Sequence, residues 1–154
     1  MIRKLTRKIV FFLAVPIFIK LWMVPIWVML GLARMTVLLI PFRDIASRLG
    51  LNKGTAAIIP LVTPAQRRRA LRIGRTIRLG AKYAPWNTNC FSQAIVALIV
   101  LRIYAPPNTI FFGLSRETCK DGNLNAHAWT ASGPLVVTGG YGFDRFTVVG
   151  AFTG

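Results

Sequence analysis

The stretch Trp86-Asn-Thr-Asn-Cys90-Phe-Ser-Gln-Ala-Ile-Val-Ala-Leu-Ile-Val-Leu-Arg-Ile-Tyr104 carries the strongest structural signal in the chain. The three residues before Cys90 are types that cap helices, and Pro106-Pro107 stops the apolar run that follows. The pattern predicts a buried helix with Cys90 in its first turn. Free backbone N–H groups and the positive end of the helix dipole favour a thiolate there and can hold an oxyanion. A small buried hydrophobe is the alternative role for this cysteine.

The chain after this helix has the pattern of a small sheet. Runs rich in β-branched and aromatic residues occur at 109–114, 126–130 and 135–138, with polar or turn-forming segments between them. Ser132-Gly133-Pro134 predicts a hairpin turn, and residues 146–149 predict a last strand. Helices followed by strands indicate an α+β domain, in which helices pack on a small antiparallel sheet.

His127 is the single histidine and lies in the strand-like run Ala126-His127-Ala128-Trp129. Alternation along a strand places His127 and Trp129 on one face and the two alanines on the other. A cysteine at a helix N-terminus followed by a histidine on a strand is the order of a Cys–His nucleophilic site. The two residues are 37 positions apart, which allows the fold to bring them together. Taken alone, a lone histidine is more often structural or merely exposed.

These segments together resemble the lasso-peptide biosynthesis B protein family over residues 30–150. The resemblance is carried by the Cys90 and Ala-His-Ala-Trp blocks, the arginine-rich segment around Ile73-Gly74 and the run Val136-Val-Thr-Gly-Gly140. It implies a transglutaminase-like (papain-like) cysteine peptidase core. The implied function is removal of the leader from a ribosomally made lasso-peptide precursor before ring closure.

The resemblance also implies a role for each site residue. Cys90 would attack the scissile carbonyl, and His127 would take the thiol proton and later protonate the leaving amine. The family's third member is an aspartate at the position where this chain has Gly139. Asp144, the only acid after His127, is the candidate substitute. A backbone carbonyl or Thr138 could orient the imidazole instead, or the site could be a Cys–His dyad.

Three other residues of the site region have a functional and a structural interpretation. Trp86 and Trp129 are candidates for lining the site or for binding the oxyanion through an indole N–H, and core packing is the alternative for both. Cys119 is predicted to be an exposed loop thiol without a role. One histidine and two cysteines lack metal-ligand spacing, so the sequence predicts no metal and no other cofactor.

An arginine-rich helix is predicted before the Cys90 helix. Thr63-Pro64 and Gln66 match a capping box with proline at the first helical position, and an apolar stripe runs from Ala70 to Ala81. A solvated surface is the usual role of such a basic face. No acidic residue balances it between positions 45 and 116, so docking of an anionic partner is the second interpretation. The candidate docking residues are Arg68, Arg72 and Arg75.

The N-terminal region is a nearly continuous apolar block over residues 9–42, after a basic start. A membrane span needs about 20 apolar residues, and here a span must include Lys20. A transmembrane helix, peripheral attachment to an anionic membrane surface, and buried helices broken near Pro16 and Pro25 are the three interpretations. We expect a hydrophobic helical region over residues 1–50 and the peptidase core over residues 51–154.

Charge and composition limit the partners and the location. The 154 residues carry a net charge of +16, with 20 basic and 4 acidic residues, which predicts an acidic partner. Basic runs interleaved with surface aromatics are absent, so nucleic acid is not expected. The N-terminus lacks a small-residue cleavage site. We therefore expect a cytoplasmic, reduced protein, attached to the inner face of the bacterial membrane if the apolar block contacts lipid.

The resemblance implies three partners. They are the lasso precursor peptide, an ATP-dependent lasso cyclase, and a separate leader-recognition protein, because the chain has no segment for the recognition module of fused relatives. Two other functions stay open. One is a catalytically weak or inactive family member that acts as a membrane-associated scaffold, which Gly139 favours. The other is a basic membrane-surface or nucleic-acid binding protein without catalysis.

Overall fold

A computed structural model describes residues 16–41, 44–45, 51–52, 60–104, 106–118 and 124–153. The elements follow one another as helix α1 (Ile17–Leu39), strand β1 (Leu51–Asn52), helices α2 (Pro64–Tyr83) and α3 (Cys90–Tyr104), strands β2 (Thr109–Thr118), β3 (Leu124–Ser132) and β4 (Leu135–Thr138), a 3-10 helix (Phe143–Arg145) and strand β5 (Thr147–Thr153).

Within these residues the sheet is antiparallel and has the strand order β1-β5-β2-β3-β4. Helices α2 and α3 pack on the sheet, and α1 packs on α2 and α3. The main core lies between the helices and the sheet, and a smaller aromatic cluster covers the opposite face of the sheet. The predicted α+β architecture, helices on a small antiparallel sheet, is confirmed.

Helix α2 begins with the predicted capping box. The Thr63 hydroxyl accepts a hydrogen bond from the Gln66 N–H at 3.2 Å, and the Gln66 side chain accepts one from the Thr63 N–H at 2.8 Å. Gly74 lies directly against β4, where a Cβ atom would be 2.6 Å from the Val137 carbonyl. Arg78 Nη1 donates to the same carbonyl at 2.9 Å. This helix therefore fixes the strand that precedes Gly139.

Helix α1 starts directly after Pro16 but continues through Pro25, so the break near Pro25 that one of the three interpretations included is absent. A proline inside a helix costs about 3 kcal/mol. Packing on both sides of Pro25 offsets this cost: Ile26 and Leu30 are fully buried, and the Trp22 indole donates to the Tyr104 hydroxyl at 2.7 Å. The helix is held as one element by its neighbours.

Candidate active site

Cys90 is the first residue of α3, as predicted. Asn89 caps the helix, since its side-chain oxygen accepts the Ser92 N–H at 2.9 Å. The Gln93 side chain donates to the Thr88 carbonyl at 3.2 Å and holds the preceding loop against the helix. At the other side of α3, the Thr130 hydroxyl donates to the Ala94 carbonyl at 3.0 Å and ties the helix to β3. The half-buried thiol thus has a fixed position relative to the sheet.

His127 lies on β3, opposite Gly113 of β2. Its ring stacks on Phe146 and on Trp129, with centroids 4.9 and 5.9 Å apart. A Cβ atom on Gly113 would lie 2.7 Å from Phe146 and 2.9 Å from the Trp129 ring. The glycine therefore provides the space in which these three rings pack, and the packing restricts the imidazole.

The imidazole has a hydrogen-bond partner at the position where the resemblance implies an aspartate. His127 Nε2 is 2.8 Å from the backbone carbonyl oxygen of Gly139. A carbonyl can only accept, so Nε2 donates and carries the proton of the neutral ring. Nδ1 is then the nitrogen that can accept a proton from a thiol.

Gly139 cannot be replaced by a carboxylate on this backbone. Its φ angle is +70°, which side chains rarely adopt, and a Cβ atom would clash with the Ala128 carbonyl oxygen and lie 2.8 Å from Trp129 Cβ. The departure from the family pattern therefore has a physical basis. The chain turns tightly beside β3, and a main-chain oxygen accepts the hydrogen bond of His127 that the resemblance assigns to a carboxylate.

Among the described residues, neither of the two other candidates for orienting His127 makes a hydrogen bond to its ring. Asp144 is exposed on the 3-10 helix. The Thr138 hydroxyl is buried and has no hydrogen-bond partner among the described residues. Asp144 as third member stays a prediction, which a conservative variant can test.

Replacing Asp144 by asparagine should leave any peptidase activity within about threefold of wild type, because the Gly139 carbonyl already holds the imidazole. Loss of a genuine orienting carboxylate costs about 10⁴-fold in kcat. Steady-state cleavage measured for both proteins separates the two outcomes. A drop of about 100-fold or more would assign the orienting role to Asp144.

Cys90 and His127 line one cavity of about 510 Å³. Apolar side chains from α1, α3, β2 and β5 form most of the wall. Among the described residues no hydrogen bond joins the thiol to the imidazole. In proteins without bound substrate, catalytic hydrogen bonds are often long and tighten in the substrate complex. The other described lining residues are Val37, Ile40, Asn89, Phe91, Phe112, Gly113, Leu114, Ala126, Ala128 and Val149.

The two tryptophans lie outside the lining of this cavity. Trp86 packs against Gly31 of α1, where a Cβ atom would be 3.2 Å from the indole. Trp129 is buried and stacks on Phe111 with centroids 5.5 Å apart. Core packing, the alternative interpretation for both, fits Trp129, whereas Trp86 packs on α1 and stays 38% exposed. Trp129 still acts on the site indirectly, because its ring supports His127.

The remaining candidates are placed as follows. Arg68, Arg72 and Arg75 are exposed on α2. Cys119 lies outside the described residues. Over the part of the chain that the structure describes, no three His, Cys, Asp or Glu side chains come together as a metal site.

Sequence reasoning missed the contribution of α1 to the cavity. Val37 and Ile40 line it, although both belong to the hydrophobic N-terminal region. Their apolar character carries no signal that separates a cavity wall from core packing. Gly113 does carry a signal, because a glycine inside a strand often marks a close approach of another group.

Comparison with protein families agrees with this geometry. The model of the transglutaminase-like superfamily matches residues 35–151, which include the end of α1, both site residues and the whole of β2 to β4. Neither the curated proteins nor the solved structures contain a match. The chain belongs to the transglutaminase-like superfamily.

Proposed function

We propose that this protein is a cysteine peptidase that removes the leader peptide from a lasso-peptide precursor. The superfamily includes cysteine peptidases. The observation that carries the proposal is that Cys90, at a capped helix start, and His127, whose imidazole is oriented by a carbonyl, both line the same cavity. The leader as substrate rests on the sequence resemblance.

The geometry fits a two-step acyl transfer. His127 Nδ1 takes the thiol proton, and the Cys90 sulfur attacks the scissile carbonyl. The first hydrogen bond of α3 runs from the Gln93 N–H to the Asn89 carbonyl at 3.2 Å. The N–H of Cys90 precedes this bond in the chain, and we expect it to hold the oxyanion. The imidazolium then protonates the leaving amine of the core peptide. Water, deprotonated by the neutral imidazole, hydrolyses the acyl-enzyme and releases the leader.

The direct test is reconstitution. Purified protein, precursor and a leader-recognition protein should yield two products by mass spectrometry, a leader with a free carboxyl terminus and a core with a free amine. That amine is the nucleophile which the proposed partner, an ATP-dependent cyclase, would use for ring closure. Intact precursor under conditions in which the recognition protein binds its leader would refute the proposal.

A second candidate function is a weak or inactive family member that acts as a scaffold for the cyclase. Two observations favour it: no hydrogen bond joins Cys90 to His127 among the described residues, and the orienting group is a neutral carbonyl. Reconstitution separates the candidates, because a scaffold raises cyclase output without releasing leader.

We further propose that the exposed arginines of α2 dock the leader-recognition protein or the acidic part of its complex. Arg68, Arg72 and Arg75 recur at helical spacing on one exposed face of a helix whose other side is buried. Exposed like charges repel one another in the free protein, and an acidic partner relieves this repulsion. Arg78 is already used within the domain, by the Val137 carbonyl.

The double variant Arg68→Glu/Arg72→Glu should weaken binding of the recognition protein by about 10- to 100-fold, because buried interfacial charge reversal costs several kcal/mol. Isothermal titration of the purified pair measures this. The matched control is Arg102→Glu/Arg145→Glu, which makes the same change in net charge away from α2. Equal weakening by both variants would show a general charge effect and no docking face.

A further inference from the structure

The most exposed side chains of α1 are apolar, whereas its polar residues Lys20, Arg34 and Thr36 are partly buried. Among the exposed residues of this helix there is no charged or polar one. The large side chains on this face are 53–78% exposed, and they follow a single line along the helix. We name this line the α1 stripe: Ile17, Leu21, Val24, Val28, Leu32, Met35, Leu38 and Leu39.

The inner side of the same helix is fixed to the domain. Trp22 donates to the Tyr104 hydroxyl and Trp27 to the Gly80 carbonyl, at 2.7 and 2.9 Å. Ile26 and Leu30 are fully buried. The stripe is therefore a long apolar surface whose opposite side is already used, and a continuous surface of this kind on a soluble domain marks an interaction site.

Crossing a bilayer is incompatible with this packing. Among the described helices only α1 is long and apolar enough to span a membrane, and its 23 residues reach about 34 Å. A span would have to break the contacts of Trp22 and Trp27 or draw α2 into the hydrocarbon. Helix α2 carries the basic residues Arg67, Arg68, Arg69, Arg72, Arg75, Arg78 and Lys82, which excludes it from that environment.

We propose that α1 lies in the plane of an anionic membrane surface, with the α1 stripe at the boundary between headgroups and acyl chains. The net charge of +16 attracts the chain to such a surface, and Arg3, Lys4, Arg7 and Lys8 shortly precede the helix in the sequence. The domain on the inner side of α1 stays in water, with the cavity of Cys90 reachable by a soluble peptide. This inference does not depend on the proposed peptidase function.

A second copy of the chain is a poorer occupant of the stripe. Seven of its members, from Ile17 to Leu39 without Leu38, are spaced by 4, 3, 4, 4, 3 and 4 residues. The average step is longer than 3.5 residues, so the stripe does not suit a left-handed coiled coil between two copies. Two copies would also bring together two chains of +16, whereas an anionic lipid surface neutralises that charge.

The experiment is vesicle co-sedimentation with the full chain. Vesicles of equal parts phosphatidylglycerol and phosphatidylcholine should bind at least about tenfold more protein than phosphatidylcholine alone. Val24→Glu/Val28→Glu should reduce this binding at least about tenfold, because it places two charges in the stripe. The control Leu61→Glu/Leu71→Glu makes the same change at exposed leucines outside α1 and should bind within about twofold of wild type.

Three results would overturn the proposal. The first is absence of binding by the wild type, or equal binding by the stripe variant. The second is a stable dimer in light scattering that the stripe variant dissociates, which would assign the stripe to a second copy. The third is retention of the cellular protein in membranes after alkaline carbonate extraction, which indicates a span. Cleavage of soluble precursor should be unchanged in the stripe variant. The membrane proposal and the peptidase proposal are therefore tested independently of each other.

Discussion

Cys90→Ala should abolish precursor cleavage, with a loss of at least about 10⁴-fold in kcat/KM, because no other group in the cavity can form the acyl-enzyme. His127→Ala should cost a similar factor, since the thiol then lacks its base. The two losses should not add in the double variant, because the residues act as one unit. Single-turnover cleavage followed by mass spectrometry measures all three variants.

Cys119→Ala is the matched control for the nucleophile, since it removes the only other thiol of the chain. We expect wild-type cleavage from it, and circular dichroism spectra that are unchanged in every variant. Trapping should agree with kinetics: a peptide aldehyde should form a hemithioacetal with wild-type protein and none with Cys90→Ala. Persistent turnover in Cys90→Ala would end the peptidase proposal.

Gly139→Asp restores the residue type that the family pattern implies, yet we expect it to damage the protein. A side chain at positive φ costs about 1–2 kcal/mol, and the clash with the Ala128 carbonyl adds about 1–3 kcal/mol of overpacking. The free energy of unfolding should fall by about 2–5 kcal/mol. Because relief of the clash moves the Gly139 carbonyl away from His127 Nε2, cleavage should fall by about 100-fold.

Gly142→Asp separates the cost of a side chain at positive φ from the cost of the clash with the Ala128 carbonyl. Gly142 has nearly the same backbone angle, φ +69°, but nothing lies within 4 Å of a Cβ atom there. The free energy of unfolding of this variant should fall only by the cost of the positive φ angle, about 1–2 kcal/mol, and its cleavage rate should be unchanged. Urea unfolding and kinetics on the two variants complete the comparison. Higher activity of Gly139→Asp than of wild type would show that the backbone yields and that a carboxylate is the better orienting group.

Much of the fold follows from local signals in the sequence. Thr63 and Gln66 form the predicted capping box, Cys90 starts its helix, and 135–138 is a strand with the predicted bounds. These signals depend on neighbouring residues alone. Strand β1 was missed because two residues carry no periodicity, and β5 extends to Thr153, beyond the predicted 149, because pairing with β1 and β2 prolongs it.

The sequence proposes residues for the site but not their geometry. The sequence pairs Cys90 with His127, and the structure places both in one cavity wall. What orients the imidazole depends on a backbone angle at Gly139 and on the path of the chain after β4, which no residue pattern reports. The same limit applies to Pro25, where tertiary packing overrides a local helix breaker. The lasso precursor and its partners rest on resemblance and stay proposals.

The group that holds the His127 imidazole is a backbone carbonyl, which cannot ionise as a carboxylate does. The Gly139 oxygen does not titrate at any working pH, so acid cannot release the imidazole by protonating its anchor. A pH–rate profile should therefore show no acidic limb from the group that anchors the imidazole. The anchor is also main chain, which no side-chain substitution elsewhere in the sequence can delete. Compared with a carboxylate, the carbonyl places no full negative charge beside the imidazolium. The orientation that it gives to the ring does not depend on pH.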